Sequence, residues 1–190
     1  MATLSVITAF AGWSHPAQAQ KTQDTITIGA ALSFTGKHGI NGKHTRRGYE
    51  LAKSLINEKG GVSVGGRKYQ LAIKYYDDES NPVLARKLAK RLITKDKVRL
   101  LLGPYSTSTT ATVAEVAEKH KVPLVQANGA SLSLFDKGYK YMFAVLSSAD
   151  RYLAGALNLA ANESKKNKVA PSTLKVATPS GAMLFHRTCA

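Results

Sequence analysis

Short apolar stretches alternate with amphipathic ones along most of the chain. The apolar stretches predict strands over 25–31, 71–76, 100–102, 123–126, 141–145 and 174–177. Apolar residues at helical spacing predict helices over 44–59, from Pro82 to about Ile93, over 106–121 and over 149–162. Strands that alternate with helices favour βαβ units, so we expect an α/β fold: a parallel sheet with helices on both faces.

Residues typical of turns and caps mark several boundaries. A glycine-rich loop is expected over 33–42, Gly60-Gly61 is expected to end the first helix, and 62–67 has the pattern of a hairpin tip. Ser80-Asn81-Pro82 supplies an N-cap and a proline for the next helix. Because ligands on parallel sheets bind at the carboxyl ends of strands, the loops after the strands are where a site is expected.

The first 20 residues contain no Lys, Arg, Asp or Glu. An apolar-rich stretch at 4–13 precedes Ala17-Gln18-Ala19, a small-x-small pattern that favours cleavage between Ala19 and Gln20. Residues 1–19 are therefore predicted to be a signal peptide, with a disordered tail as the alternative. The expected location is the periplasm of a Gram-negative cell.

Length and composition limit the remaining choices. The chain has 190 residues, which suits one domain or one domain plus a fragment, and 44% hydrophobic residues, enough for a buried core. One cysteine, Cys189, excludes a disulfide framework and a cysteine-based zinc site. No apolar run is long enough to encode a transmembrane helix, so the protein is not expected to be membrane-embedded.

The formal net charge of +15 raises the question of nucleic acid. The densest basic residues fall mainly on the polar faces of predicted helices, and no nucleic-acid-binding motif accompanies them. These residues are Arg46, Arg47, Arg86, Lys87, Lys90, Arg91, Lys95 and Lys97. A solvated basic surface is therefore favoured over a nucleic-acid interface.

Cofactor, metal and catalytic chemistry find little support. Gly36-Lys37 is followed by His38 and Gly42-Lys43 by His44, so neither forms a P-loop, and no dinucleotide fingerprint follows the first strand. Asp77-Asp78-Glu79 either holds a divalent metal or leads into the next helix, and the positive helix N-terminus favours the second interpretation. We expect no cofactor, no metal and no nucleophile with a partner base, hence no enzyme.

One segment has the chemistry of a binding site. The run from Gly103 to Thr110, GPYSTSTT, joins a predicted strand to a predicted helix and places hydroxyls beside free backbone N–H groups. A carboxylate would gain charge-assisted hydrogen bonds and a favourable helix-dipole interaction there. The next strand ends in Ala127-Asn128-Gly129-Ala130-Ser131, whose backbone would lie beside it. Simple N-capping by Ser106 or Thr107 is the alternative.

Several segments in a fixed order resemble the periplasmic substrate-binding proteins of branched-chain amino acid type ABC transporters, the leucine/isoleucine/valine-binding group. The similarity runs from Ile26 to about Ala177 and is carried by ITIGAALSFTGKHGINGKHTRRGYELA, INEKGGVSVGG, YYDDES, LLGPYSTSTT, KVPLVQANGAS and YKYMFAV. The resemblance implies a type I periplasmic binding protein of two Rossmann-like α/β lobes, with ligand held in the cleft between them.

The resemblance also implies site residues. The hydroxyl that holds the ligand's α-carboxylate corresponds to Thr107, with Ser106 beside it. The second carboxylate-holding segment corresponds to Gly129, Ala130 and Ser131, and a residue flanking the ligand corresponds to Asn41.

The implied domains are a signal peptide at 1–19, lobe one at 20–145 and the start of lobe two at 146–177. The segment 178–190, TPSGAMLFHRTCA, has no helical or strand period and carries the cysteine, which is expected of a frameshift or truncated gene product.

The expected function is that of an exported solute-binding protein that captures an amino acid, or a similar small carboxylate or amide, for import. The implied partners are that ligand and the permease subunits of the transporter. The alternatives are a ligand-sensing receptor module of the same fold, a non-functional truncated product and an exported hydrolase.

Overall fold

The computed structural model describes residues 24–166, and six strands of that part form one sheet. The strands are β1 (Thr25–Leu32), β2 (Val62–Val64), β3 (Arg67–Asp77), β4 (Leu101–Leu102), β5 (Leu124–Gln126) and β6 (Met142–Ala144). The helices are α1 (Gly39–Glu58), α2 (Pro82–Thr94), α3 (Thr107–His120), α4 (Leu132–Phe135) and α5 (Ala154–Lys166), with short 3₁₀-helices at Gly36–His38 and Ala149–Arg151.

The sheet order is β2-β3-β1-β4-β5-β6, and every neighbouring pair is parallel except β2 with β3. The β2–β3 hairpin turns at Gly65 and Gly66, both at positive φ, as the sequence pattern predicts. The parallel α/β fold with helices on both faces is therefore confirmed. The predicted strand at 174–177 and the predicted signal peptide lie outside the described residues.

The main core lies between the sheet and the helices α2 and α3. Leu92 of α2, Val113 of α3 and Leu124 of β5 are among its fully or almost fully buried members. Asn81 caps α2, because its side chain accepts hydrogen bonds from Val83 N at 2.9 Å and Leu84 N at 3.2 Å. The predicted N-cap is confirmed, with Asn81 as the capping residue.

The opposite face carries α1, which packs against β3. The Phe34 and Tyr75 rings lie 5.8 Å apart between centroids, and the guanidinium of Arg46 lies over both rings, at 5.2 and 5.0 Å respectively. Asn57 holds the other end of α1 to the sheet through hydrogen bonds to Leu71 N and Leu71 O at 2.8 and 2.9 Å.

Two expected boundaries are wrong. The glycine-rich segment 33–42 is not all loop, because a 3₁₀-helix begins at Gly36 and α1 begins at Gly39. The helix expected over 149–162 is a short 3₁₀-helix followed by α5. The four-residue helix α4 was not expected. For α1, a close approach to the backbone of Phe34 and Ser33, rather than local apolar spacing, accounts for the earlier start.

Candidate functional site

The carboxyl ends of the parallel strands gather the loops that the sequence singles out. Gly103 N donates to Val125 O at 2.8 Å, so the ends of β4 and β5 are adjacent. A Cβ on Gly103 would lie 2.6 Å from Gln126 Cβ, and only glycine allows the two loops to leave the sheet side by side. The loop before α3 and the turn at 127–131 therefore start next to each other.

Asp77 organises this edge from the end of β3. Its Oδ1 accepts from Phe34 N at 2.8 Å and from Glu79 N at 2.9 Å, and its Oδ2 accepts from the Thr35 hydroxyl at 2.8 Å. Burial raises the pKa of Asp77, but these hydrogen bonds lower it more, so the net pKa lies below its ordinary value. The carboxylate fixes the loop after β1 against the loop after β3.

Asp78 is fully buried in the same corner. Its Oδ1 accepts from the Ser33 hydroxyl at 2.6 Å and from Ser80 N at 2.9 Å, while Oδ2 has no partner among the described residues. Burial raises the pKa of Asp78 despite those hydrogen bonds. In the part of the chain that the structure describes, no group of three metal-ligating side chains is present, and these acidic residues serve the loops instead.

Ser106, immediately before α3, has an unusual backbone. Its φ of 79° and ψ of 154° fall in a region that glycine adopts readily and other residues rarely. The Ser106 hydroxyl caps the helix by accepting from Thr109 N at 3.4 Å. Such strain persists where the surrounding structure requires it, and it is common at binding sites.

Thr107, the first residue of α3, differs from its neighbours in how its hydroxyl is used. The Thr109 and Thr110 side chains are buried and donate back to the carbonyls of Tyr105 and Ser106 respectively, the second at 2.7 Å. The half-buried Thr107 hydroxyl makes no hydrogen bond within residues 24–166. The first N–H groups of a helix also lack intrahelical acceptors, so this position offers donors to an anion.

The turn at 127–131 is shaped by Gln126, a residue that sequence reasoning missed. The buried Gln126 side chain accepts from Asn128 N at 3.1 Å and from Gly129 N at 2.7 Å and donates to Gly129 O at 3.0 Å. These two N–H groups are therefore engaged inside the protein. The polar residue at the end of an otherwise apolar strand was the only sequence signal for this role.

The three expected carboxylate-holding positions of this turn, Gly129, Ala130 and Ser131, differ from one another in their surroundings. Gly129 packs on α3, since a Cβ there would lie 3.1 Å from Thr110 Cβ and 2.6 Å from Leu134 Cδ1. Ala130 O accepts from Ala149 N at 2.8 Å. Ser131 is half-buried and caps α4, accepting from Ser133 N at 3.4 Å.

The start of α1 completes the edge. The Thr45 hydroxyl donates to Asn41 O at 3.1 Å and lies 3.4 Å from Asn128 Oδ1, which places the exposed Asn41 at the same edge as the 127–131 turn. The Tyr49 hydroxyl donates to Gly103 O at 2.8 Å, and burial raises its pKa to about 12. All the expected site residues thus lie on segments that meet at one edge of the sheet.

Two further observations bear on alternative chemistries. A Gly-x-Ser-x-Gly spacing does occur at 61–65, but Ser63 lies on the exposed hairpin strand β2, opposite Lys68, and not in the strand–turn–helix of a nucleophile elbow. Across residues 24–166, no helix has the length and apolarity needed to cross a membrane.

Comparison with known proteins identifies what this arrangement belongs to. A family model described as periplasmic binding protein matches residues 25–182. An amino acid binding protein of Pseudomonas aeruginosa is 28% identical over 145 residues, covering 76% of this chain and 38% of that protein. Leu/Ile/Val-binding protein homolog 7 of Brucella suis biovar 1 is 29% identical, covering 74% of this chain and 32% of that protein.

Solved structures give the same answer. The substrate-binding protein of a branched-chain amino acid transporter from Streptococcus pneumoniae, in complex with isoleucine, matches with a TM-score of 0.60 at 27% identity, over 71% of this chain and 39% of that one. An ABC transporter solute-binding protein from R. palustris, in complex with 4-hydroxybenzoate, matches with a TM-score of 0.60 at 28% identity, over 74% and 36%.

The chain spans between about a third and two fifths of the length of the relatives it matches. Its match to the family model nevertheless extends from the first residue of β1 to beyond the described residues. With that match, the parallel sheet and the loops gathered at its carboxyl edge, the chain belongs to the periplasmic binding protein family, and it is similar to members of the branched-chain amino acid type.

Proposed function

We propose that this protein is the solute-binding component of an ABC transporter, and that it captures an amino acid or a similar small carboxylate for import. The observation that carries the proposal is Thr107: a half-buried threonine at a helix N-terminus whose hydroxyl is unused, next to the strained Ser106. Both residues follow the end of a central strand, where ligands of parallel sheets bind.

The carboxylate is the part of the ligand that this edge recognises. Isoleucine and 4-hydroxybenzoate, the ligands in the two structural relatives, have little in common except a carboxylate. A carboxylate at Thr107 would accept hydrogen bonds from the hydroxyl and the first-turn N–H groups and would be favoured by the helix dipole.

The other positions receive distinct roles in the proposal. Ser131 and the backbone of Ala130 form the second contact, because Gln126 already uses the N–H groups of Asn128 and Gly129. Gly129 serves by close packing on α3, and Asn41 flanks the ligand from α1.

The proposed organisation follows the family. Residues 1–19 are a signal peptide that directs export to the periplasm, 20–145 form lobe one and 146–177 begin lobe two. The protein performs no catalysis of its own. Its partners are the ligand and the membrane permease subunits that receive it.

The test is a titration of the 190-residue chain with isoleucine, in which binding is measured by NMR. A ligand bound to one lobe stays exposed to water, so each hydrogen bond contributes only ~0.5–1.5 kcal/mol. A few such hydrogen bonds give a Kd of about millimolar order. Thr107→Ala should weaken binding about tenfold, because it removes a hydrogen bond to a charged group. Thr107→Ser keeps the hydroxyl and should bind within about twofold of the parent.

Isoleucine amide, which has no carboxylate, is the matched ligand control and should not bind measurably. Equal binding of the amide would refute carboxylate recognition at this edge. Equal binding by Thr107→Ala and the parent would refute the assignment of Thr107, and Ser131→Ala would then show whether the second contact dominates.

A further inference from the structure

We propose that the edge of the sheet opposite the candidate ligand site docks on an anionic lipid bilayer. The exposed basic residues of the last turn of α3 and of the loops that enter β4, β5 and β6 form this surface, which we call the basic edge. They are Lys95, Lys97, Arg99, Lys119, Lys121, Lys137 and Lys140.

Parallel pairing brings these loops together. The amino ends of parallel strands lie at one edge of a sheet, and hydrogen bonds here from Leu101 N to Pro123 O at 2.9 Å and from Leu124 N to Tyr141 O at 2.8 Å align the three strand starts. Glu118 Oε2 accepts from Lys140 N at 2.9 Å, so the end of α3 is fixed to the loop before β6. The positive charges therefore share one face of the molecule.

The charges of the basic edge are not neutralised within residues 24–166, where none of its members makes an ion pair. The carboxylates nearby are engaged elsewhere. Asp96 pairs with Lys74 at 2.5 Å and accepts from the Tyr76 hydroxyl at 3.1 Å. Glu118 accepts from backbone N–H groups, and Asp24 pairs with Arg67. Glu118 keeps its negative charge because its partners are uncharged, so Glu118 and the exposed Asp136 together offset part of the positive field at this edge.

Two members of the basic edge occupy backbone positions that favour glycine. Lys97 and Lys121 have φ of 59° and 54° in the turns that end α2 and α3. Val98 N donates to Leu92 O at 3.1 Å and Val122 N donates to Ala117 O at 3.0 Å, and helix ends of this kind are usually closed by glycine. The helix dipole offsets part of the strain. Both helices thus present a lysine where the backbone alone would favour a small, uncharged residue.

The chemistry of the basic edge fits a lipid surface better than a nucleic acid. All members but Arg99 are lysines, which act as mobile point charges and attract an anionic surface diffusely. No helix or hairpin projects from these short loops to enter a groove. Thr107 lies at the opposite ends of the strands, so docking by the basic edge does not cover it.

The experiment is co-sedimentation of the 190-residue chain with vesicles at about 100 mM NaCl, where the screening length is still near 10 Å. Vesicles of phosphatidylcholine with a third phosphatidylglycerol are compared with pure phosphatidylcholine, so that any apolar insertion common to both is subtracted. The parent should bind the anionic vesicles more than a hundredfold more strongly. The difference should disappear at about 1 M NaCl, where screening is within a few Å.

The decisive variant replaces Lys95, Lys119, Lys137 and Lys140 by Gln, leaving the left-handed lysines untouched. Each lysine near an anionic surface contributes about fivefold, so binding should fall more than a hundredfold. The control replaces Lys43, Arg47, Lys87 and Lys90 by Gln; these residues are exposed, make no ion pair within residues 24–166 and lie on α1 and α2. This control variant removes the same number of positive charges, and its binding to anionic vesicles should fall less than tenfold.

Equal losses in the two variants would overturn the proposal, since attraction would then depend on net charge alone. Tighter binding to duplex DNA than to anionic vesicles at the same salt would overturn the choice of partner. If the fourfold variant fails to fold by circular dichroism, the pair Lys137→Gln and Lys140→Gln is used, with an expected loss of about 25-fold. No loss in that pair also contradicts the proposal.

Discussion

Ser106 and Thr107 show how two adjacent residues share one helix start. Ser106 accepts from Thr109 N and fixes the cap, at a backbone conformation of φ 79° and ψ 154°. That conformation costs ~1–3 kcal/mol for a residue with a Cβ. Thr107 follows with an unused hydroxyl, so the cap and the candidate ligand contact are separate functions of neighbouring side chains.

Replacement of Ser106 by glycine tests whether strain is stored there. Ser106→Gly removes the strain and loses only a few tenths of a kcal/mol in capping, so we expect it to stabilise the fold by ~1 kcal/mol. Thermal unfolding should show a rise of a few degrees in Tm. Ser108→Gly, in the first turn of α3 and exposed, is the control and should lower Tm. A matching decrease in both variants would show that Ser106 is unstrained.

The start of α1 is decided by one close approach between elements. Gly42 lies in the first turn of the helix, and a Cβ there would overlap the Ser33 carbonyl, with Ser33 C only 2.7 Å away. Glycine disfavours helix by itself, which is why the local pattern predicts a loop. Packing of α1 on the end of β1 overrides that preference.

Gly42→Ala should therefore destabilise the protein by ~3 kcal/mol or more, because backbone must move to make room. Gly48→Ala is the matched control on the same helix, since nothing lies within 4 Å of a Cβ there. It should stabilise by ~0.5–1 kcal/mol through better helix propensity. Urea unfolding of both variants measures the difference, and similar effects on the two would contradict the close approach.

Across the whole molecule, Asp77 and Asp78 join segments that are more than 40 residues apart. Asp77 binds the backbone of Phe34, and Asp78 binds the Ser33 hydroxyl. The pKa of Asp77 is lowered in the fold, so its contribution to stability is complete above its ordinary value of 3.8 and is lost as pH falls through its folded pKa. The pKa of Asp78 is raised by burial, so its ionisation opposes folding at neutral pH and that cost disappears on acidification.

We expect Asp77→Asn to lower the free energy of unfolding by ~1–3 kcal/mol at pH 7 and by much less near pH 2. Urea unfolding at several pH values measures both. Asp136→Asn, at an exposed carboxylate with no hydrogen bond or ion pair within residues 24–166, should leave stability unchanged at either pH. An equal loss for Asp77→Asn at pH 7 and pH 2 would show that the charge of Asp77 is not what holds the loop.

The sequence by itself determined the fold class, the order of the strands and of the long helices, the Asn81 cap and the candidate segments around Thr107 and 129–131. These follow from local signals: apolar spacing, capping residues and turn residues act over a few positions. The family resemblance, carried by segments in order, also needed no coordinates.

Only the tertiary structure decided that Gly42 is helical and that Gln126 accepts hydrogen bonds from two N–H groups of the candidate site. It also decided that the backbone of Ser106 is strained. It also gathered separate basic loops into one edge. The physical reason is the same in each case. These properties depend on which backbone lies against which, and strand register and helix packing bring together residues tens of positions apart.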